Sequence, residues 1–412
     1  MKWLNPYQDR LLIFFSCLLI AGIFLIDSAR SPASISMIGL ALTAIITLNL
    51  KHAKTKLLSR KDLLVLSGLF LFLLPSLFYS NNFDYLLERL QIQLPFLVLP
   101  LAFIFFKPLS NRQFMLIYYF FLLGVFIISL DAFINYVNNS EIINQMYLQS
   151  QVMPTIVSHH PTFSIMIAFA IYVAYYLYKH QFYAFNKNER YLIAAIGILL
   201  FTFLHIFSVR SGLLAIYVLI LIEFYKFIFI KKQYKTGVLS LFFSLLIGFT
   251  TFLLSPTIRN KVENTRNDIS STENGNINNQ SLGSRVASCR IAIAIADSTS
   301  WLMGSGLGDL QDLSDYMWTT KYPEVTKKII PHNQFLFYLA ATGIIGLLLF
   351  IFCLLFPLLY HSNFKHPLLS VHYIIMLIAL MFEAFFQTQL GVAYCLIFIL
   401  LPLNQTATWQ ND

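Results

Sequence analysis

PHNQFLFYLAATGIIGLLLF, residues 331–350, passes from a Pro-His-Asn start into apolar side chains with no further ionisable group except Tyr338. Such a stretch opens a membrane-length helix, and His332 is the last histidine before it. Upstream lies a long polar insertion, Pro256 to His332, and on either side of it the sequence is a series of apolar runs. Hydrophobic residues make up 58% of the 412 and charged residues only 11%, with a mean hydropathy of +0.68. A soluble chain of this length cannot cover its surface with so few charges, so the fold class is an all-α integral membrane protein. One large loop that delivers a histidine to the bilayer surface suggests chemistry on a substrate held in the membrane.

Runs near 11–27, 34–50, 63–80, 91–106, 113–137, 161–178, 191–209, 211–230, 236–255, 333–359, 368–387 and 390–404 are long enough to cross a hydrocarbon core of about 30 Å. They predict about 12 transmembrane helices. Lys and Arg remain on the cytoplasmic side of short loops, and the loop at 51–62 carries Lys51, Lys54, Lys56, Arg60 and Lys61. Counting from that loop puts both termini and the loops near 107–112, 179–190, 226–235 and 360–367 inside, and this side holds 17 of the 28 Lys and Arg, whereas the opposite short loops hold only Arg30, Arg89 and Arg210. The insertion is then one large outer loop. It divides the chain into residues 1–255 with nine spans, the loop at 256–332, and residues 333–412 with three spans. The run at 11–27 could also be a signal-peptide core. No small-x-small cleavage site follows it, and the span at 34–50 needs a partner to reach the basic loop, which favours a signal anchor. The net charge of +9 comes mostly from cytoplasmic flanks and speaks for contact with anionic membrane lipids, not nucleic acid. Cys17, Cys353 and Cys395 fall in spans and Cys289 in the loop, which suggests neither a disulfide framework nor a metal site.

Polar residues that are costly in lipid carry information when they gather on one side. On this topology the outer face collects Arg210, His159 and His160, Arg285 and Arg290, His332, Glu383, Gln387 and Gln389. Arg210, in FSVRSGLLA, sits between two spans. It reads either as a headgroup-touching helix end or as a planar fork for phosphate oxygens, and Gly212 beside it would let a headgroup approach the backbone. His332 and Asn333 open a span whose first N–H groups and dipole favour an anion. Neighbouring arginines would keep His332 neutral, as a general base requires; the bland reading is a helix cap. HHPTF at 159–163 is a second His-Pro span start on the same face. Glu383, inside a span near its outer end, needs an arginine or the substrate as partner. Within the insertion, residues 264–281 are Asn- and Ser-rich and read as a mobile surface excursion. The stretch 286–296 fits either a helix or a strand, and GSGLG at 304–308 reads as a tight turn that orients the loop.

VRSGLLA, SRVASCRIAIAIADSTSWLMGSGLG and PHNQFLFYLAATGIIGLLLF together resemble the O-antigen ligase and polymerase family of bacterial envelope enzymes, and the plan of about twelve spans with one large outer loop is similar over the whole chain. The family has Trp four residues after its loop arginine, where Cys289 stands here. Either Arg285 or Arg290 can be that arginine, and spacing to the Gly turn favours Arg285. The resemblance implies a C-type membrane glycosyltransferase architecture with a large periplasmic loop, in the bacterial inner membrane. It implies an inverting enzyme without metal or other cofactor, moving a glycan from undecaprenyl pyrophosphate to an acceptor hydroxyl such as that of lipid A-core or another glycan. Arg210 and Arg285 would clamp the pyrophosphate and His332 would orient or deprotonate the acceptor hydroxyl. Arg290, His159, His160, Asn333, Glu383 and Gln389 would contact substrate; the spans would give a groove for the polyprenyl tail and the loop a lid. Ligation, repeat-unit polymerisation and protein O-glycosylation share these motifs, with ligation favoured by the compact match around His332. A lipid-linked glycan flippase would place such charges near the midplane, in broken helices or repeats; here the spans are nearly uncharged.

Overall fold

Every regular element among the described residues is helical, because the apolar runs leave the backbone no other way to satisfy itself in lipid. The structure, a computed structural model, describes residues 7–48, 50–149, 151–273, 281–326 and 328–406. In chain order the α-helices are α1 (Gln8–Phe24), α2 (Ser31–Ile46), α3 (Leu50–Ser59), α4 (Lys61–Leu66), α5 (Gly68–Leu71), α6 (Phe83–Gln93), α7 (Pro95–Phe103), α8 (Asn111–Asn138), α9 (Ser140–Leu148) and α10 (His160–Lys179). They continue as α11 (Glu189–Phe207), α12 (Arg210–Tyr225), α13 (Tyr234–Leu254), α14 (Pro256–Glu273), α15 (Ser281–Ser298), α16 (Leu310–Lys321), α17 (Gln334–Leu359), α18 (Pro367–Phe382) and α19 (Gln389–Thr406).

Among the described residues nine helical stretches are long and apolar enough to cross a membrane: 61–78, 83–103, 111–138, 160–179, 189–207, 210–230, 234–254, 334–365 and 389–406. The other three expected spans coincide with α1, α2 and α18, which are shorter, at 17, 16 and 16 residues. The centre of the bundle is α19, 94% buried, whereas α12 and α13 form a peripheral hairpin with 17% and 11% of their spans buried. Phe242, Phe243, Phe249 and Leu254 of α13 accordingly face outward. Between apolar helices in lipid, close approach replaces the hydrophobic drive, and small residues permit it. Gly212 of α12 is such a point: a Cβ there would lie 2.6 Å from the Ser164 carbonyl oxygen of α10. Gly212 therefore serves helix packing and does not open the backbone to a headgroup.

Several expected loops are ordered helices. The basic stretch at 51–62 forms α3 and the start of α4. The fourth span begins earlier than expected, at Phe83, so Arg89 lies on α6 and not in a loop. Of the Asn-rich stretch, residues 264–273 belong to α14, and 274–280 lie outside the described residues, as do the terminal residues 1–6 and 407–412 whose sidedness was expected. The helix escapes a search for apolar periodicity because the stripe it buries is polar, namely Thr257, Asn264 and Asp268. Residues 286–296 are helical within α15, with Ala287, Ile291, Ala292 and Ile295 buried at helical spacing. The eleventh span ends at Phe382, five residues sooner than expected, and Glu383 to Thr388 form a non-α connection to α19.

The turn at 304–308 does more than redirect the chain. Inside α17 the helix breaks at Gly343, with φ +65° and ψ −171°, a conformation open essentially to glycine alone. The break frees backbone groups at membrane depth, and the loop before the turn takes them up. Ser305 N and Gly306 N donate to the carbonyls of Ala340 and Ala341, each at 2.9 Å, while Ile344 N and Ile345 N donate to those of Trp301 and Leu302, at 2.8 and 3.4 Å. Gly304 and Gly306 have φ of +71° and +89°, and a Cβ on Gly304 would meet the backbone of Ala341 at 2.5 Å. From there Asp309 caps the amides of Asn81 and Asn82, both at 2.8 Å, so the loop is tied to α6 as well as to α17.

Candidate active site

The helix ends that carry the expected site residues are built by local capping. Asn333 Oδ1 accepts from the N–H groups of Phe335 and Leu336, each at 3.0 Å, and its Nδ2 donates to the Met381 carbonyl, also at 3.0 Å. This corrects one expectation: those helix N-terminal donors are used by the chain's own cap and are not left for an anion. Asn333 instead ties the start of α17 to the end of α18, which brings His332 beside Glu383. His159 caps α10, its Nδ1 accepting from Thr162 N at 3.4 Å.

Glu383 is the hub. Its Oε1 accepts from Arg285 Nη2 at 2.7 Å, and its Oε2 lies 2.7 Å from His332 Nδ1. A separation this short between a ring nitrogen and a carboxylate oxygen requires a proton between them. A carboxylate facing Nδ1 favours the neutral tautomer protonated there, which leaves Nε2 as a proton acceptor. Burial alone would push the Glu383 carboxyl up. Its contact with His332 and the charge of Arg285 outweigh that, holding it below the ordinary carboxylate range and ionised at neutral pH. The sequence had paired His332 with arginines; the group in contact is a carboxylate that an arginine anchors. Ser288, one helical turn after Arg285, accepts from His332 N at 3.2 Å and so fixes the backbone of the same residue.

Arg210 is held from the other side by α14. Its Nη2 donates to Thr265 Oγ1 at 2.6 Å and lies 3.7 Å from Asp268 Oδ2, a fully buried carboxylate. Arg210 and Arg285 are close enough to repel each other, and Lys261 feels both. Burial, then the charge of Arg210, bring the Lys261 ammonium down to about 8, with Arg285 acting the same way and Asp268 against. His159 completes the group on the far side. Burial keeps its imidazole below the ordinary range, although Glu383 pulls the other way, so it is neutral at pH 7. Three cations, Arg210, Lys261 and Arg285, thus converge beside a Glu383–His332 pair.

The other expected residues separate into those near this group and those apart from it. Arg290 is exposed, and five residues along α15 it points well away from Arg285. This assigns Arg285 to the converging group. His160 Nδ1 lies 3.5 Å from Thr155 Oγ1. Gln389 donates to Ser34 Oγ at 3.0 Å and lines a separate cavity with His159. Cys289 is a half-buried free thiol that burial pushes up. Lys261, Thr265, Asp268 and Ser288 were missed, the first three because α14 reads as a polar loop.

The geometry accords with the comparison to known families. Residues 194–351 match the model described as O-antigen ligase. That part of the chain is similar to the O-antigen ligase family. The matched segment runs from α11 into α17 and contains Arg210, Lys261, Arg285 and His332, while Glu383 and His159 lie outside it. No curated protein matches the chain. The O-antigen ligase match supports glycan transfer of the ligase or polymerase type in a membrane, with a lipid-linked glycan and an acceptor as substrates.

Proposed function

We propose that the protein is an inverting, metal-independent O-antigen ligase that transfers a glycan from undecaprenyl pyrophosphate to a hydroxyl of lipid A-core. The reading rests on one observation: three cations converge beside a histidine whose Nδ1 lies 2.7 Å from a buried carboxylate. The acceptor hydroxyl gives its proton to His332 Nε2 as its oxygen bonds to the anomeric carbon. The bond from that carbon to the diphosphate oxygen breaks, and its electron pair leaves with undecaprenyl pyrophosphate. Arg210, Arg285 and Lys261 offset the charge that grows on the leaving group. Pyrophosphate departs without protonation, so the site needs no second carboxylate as an acid. Glu383 keeps His332 in the tautomer that accepts at Nε2.

With α1, α2 and α18 completing twelve crossings, both termini lie in the cytoplasm and the site faces the periplasm of a bacterial inner membrane. A groove of about 460 Å³ between α8, α11 and α13, lined by Ile206, Leu246, Thr250, Leu254 and Ser255, runs beneath α14 and suits the polyprenyl tail. Envelope glycans of a deletion strain test the reading. A ligase deletion loses long chains from lipid A-core and accumulates lipid-linked polymer; single capped repeats would instead mark a polymerase.

The third cation gives the reaction a pH signature. Lys261 is charged below about 8 and neutral above it, so the donor KM should rise as the pH climbs through that value. In Lys261→Arg, whose guanidinium stays charged, the alkaline rise should disappear. An unchanged profile in that variant would remove Lys261 from the diphosphate clamp.

A further inference from the structure

The polar insertion carries three large apolar side chains in a row, Trp301, Leu302 and Met303, and all three are exposed. They stand where the insertion fastens onto α17, and simple lengths locate that junction. The 26 residues of α17 span about 39 Å, against a hydrocarbon core of about 30 Å. A helix that crosses the core can then protrude by at most about 9 Å at the end next to His332. Gly343 lies about 13 Å in from that end. The junction is therefore inside the hydrocarbon.

The backbone is prepared for that depth. Non-helical backbone in lipid must find its partners within the protein. The carbonyls of Trp301 and Leu302 accept from Ile344 N and Ile345 N, and that of Met303 accepts from the Tyr79 hydroxyl at 2.8 Å. Met303 N donates to Ser300 Oγ at 3.2 Å, Gly304 N to the Ser300 carbonyl at 2.7 Å, and Ser305 N and Gly306 N to α17. A loop in water can leave such groups to solvent. The side chains, for their part, continue a lipid-facing surface. Ile344 and Ile345 are themselves exposed on α17, as is Leu348 about one turn on, and exposed apolar side chains along a membrane-crossing helix face acyl chains. Trp301 Nε1 donates to Asp297 Oδ1 at 3.0 Å, which turns its polar edge towards the end of α15. Tryptophan takes this amphipathic arrangement at a membrane interface.

We infer that Trp301, Leu302 and Met303 are embedded among lipid acyl chains, in the leaflet on the His332 side, and anchor the insertion to the membrane. The partner is the bilayer itself, and the inference holds whichever reaction the site performs. It also limits motion. With its tip held in lipid and its backbone bonded across the break at Gly343, the stretch from Trp301 to Asp309 is a fixed anchor and cannot lift away as a lid.

The test uses the full-length protein in vesicles of phosphatidylethanolamine and phosphatidylglycerol. The fluorescence of Trp301 is the difference between wild type and Trp301→Phe. Lipids brominated in their acyl chains should quench most of that difference, and iodide in the aqueous phase should leave it unchanged. Quenching by iodide, or none by the brominated lipids, would place the tip in water or under another protein and overturn the inference. A pair of lysine substitutions keeps the test valid if Trp301→Phe fails to fold. Leu302 and Tyr316 are 61% and 62% exposed, but Tyr316 lies on α16, whose Asp312 and Asp315 belong in water. Leu302→Lys should lower accumulation in the membrane several-fold, because a charge inside the hydrocarbon is costly, whereas Tyr316→Lys should match wild type. Equal accumulation of the two variants sinks the anchor.

Discussion

His332→Ala is expected to slow glycan transfer by about 10²–10⁴-fold, the range that a positioned proton acceptor contributes. The protein should still accumulate folded in the membrane. The backbone of His332 remains bonded to Ser288, and Asn333 still caps α17, so removing the imidazole leaves the local framework standing. Glu383→Gln separates orientation from proton acceptance. The amide keeps the shape of the carboxylate and can still accept from Arg285, but its NH₂ then faces His332 Nδ1. The imidazole must accept at Nδ1 and carry its proton on Nε2, the nitrogen that has to receive one from the acceptor. The single variants and the double variant should therefore lose similar amounts, because residues that act as a unit are not additive. Transfer of radiolabelled glycan in membranes with matched protein levels decides it. A near-normal rate for His332→Ala excludes the histidine as the base, and a near-normal rate for Glu383→Gln excludes the tautomer argument.

Gly343→Ala is expected to destroy the folded protein rather than its chemistry. The backbone there lies in a region that costs a side-chain-bearing residue about 1–3 kcal/mol. The new Cβ would also stand 2.3 Å from the carbonyl carbon and oxygen of Leu302, which belong to the loop backbone and cannot swing aside. Relief requires pulling the loop out of α17. That strands the carbonyls of Ala340 and Ala341 and the amides of Ile344 and Ile345 at membrane depth, where each unsatisfied group costs several kcal/mol. Accumulation in the membrane and the melting temperature in detergent should both fall sharply. Wild-type accumulation and melting for this variant would show that the break in α17 is not required.

Both predictions locate the same division of labour. The GSGLG turn and the TGIIG break fasten the polar insertion into the bundle, and only then do Arg285 and Ser288 on α15 reach Glu383 and His332. Residues 281–298 and 333–336 are far apart in the chain from Glu383, and the three meet because Asn333 binds the carbonyl of Met381. Lys261 joins them through α14, a helix whose buried face is polar and whose role the sequence disguises.

The order of residues alone determined a great deal. Apolar runs of membrane length can only be helices, because lipid offers no partner for an exposed backbone, and this holds whatever the runs pack against. Costly charges at their ends had to be few and had to mean something, so Arg210, Arg285, His332 and Glu383 stood out before any contact was known. What only the tertiary structure decided was who touches whom. Gly212 meets a neighbouring helix and no headgroup, Asn333 consumes the helix donors it was expected to offer, and Arg290 faces away while Arg285 faces in. Arg89 belongs to a helix wall and not a loop. The physical reason is that composition and periodicity report the cost of placing a side chain in lipid or water. The choice of partner depends on helix phase and on breaks such as Gly343, which are set by packing between segments distant in the chain.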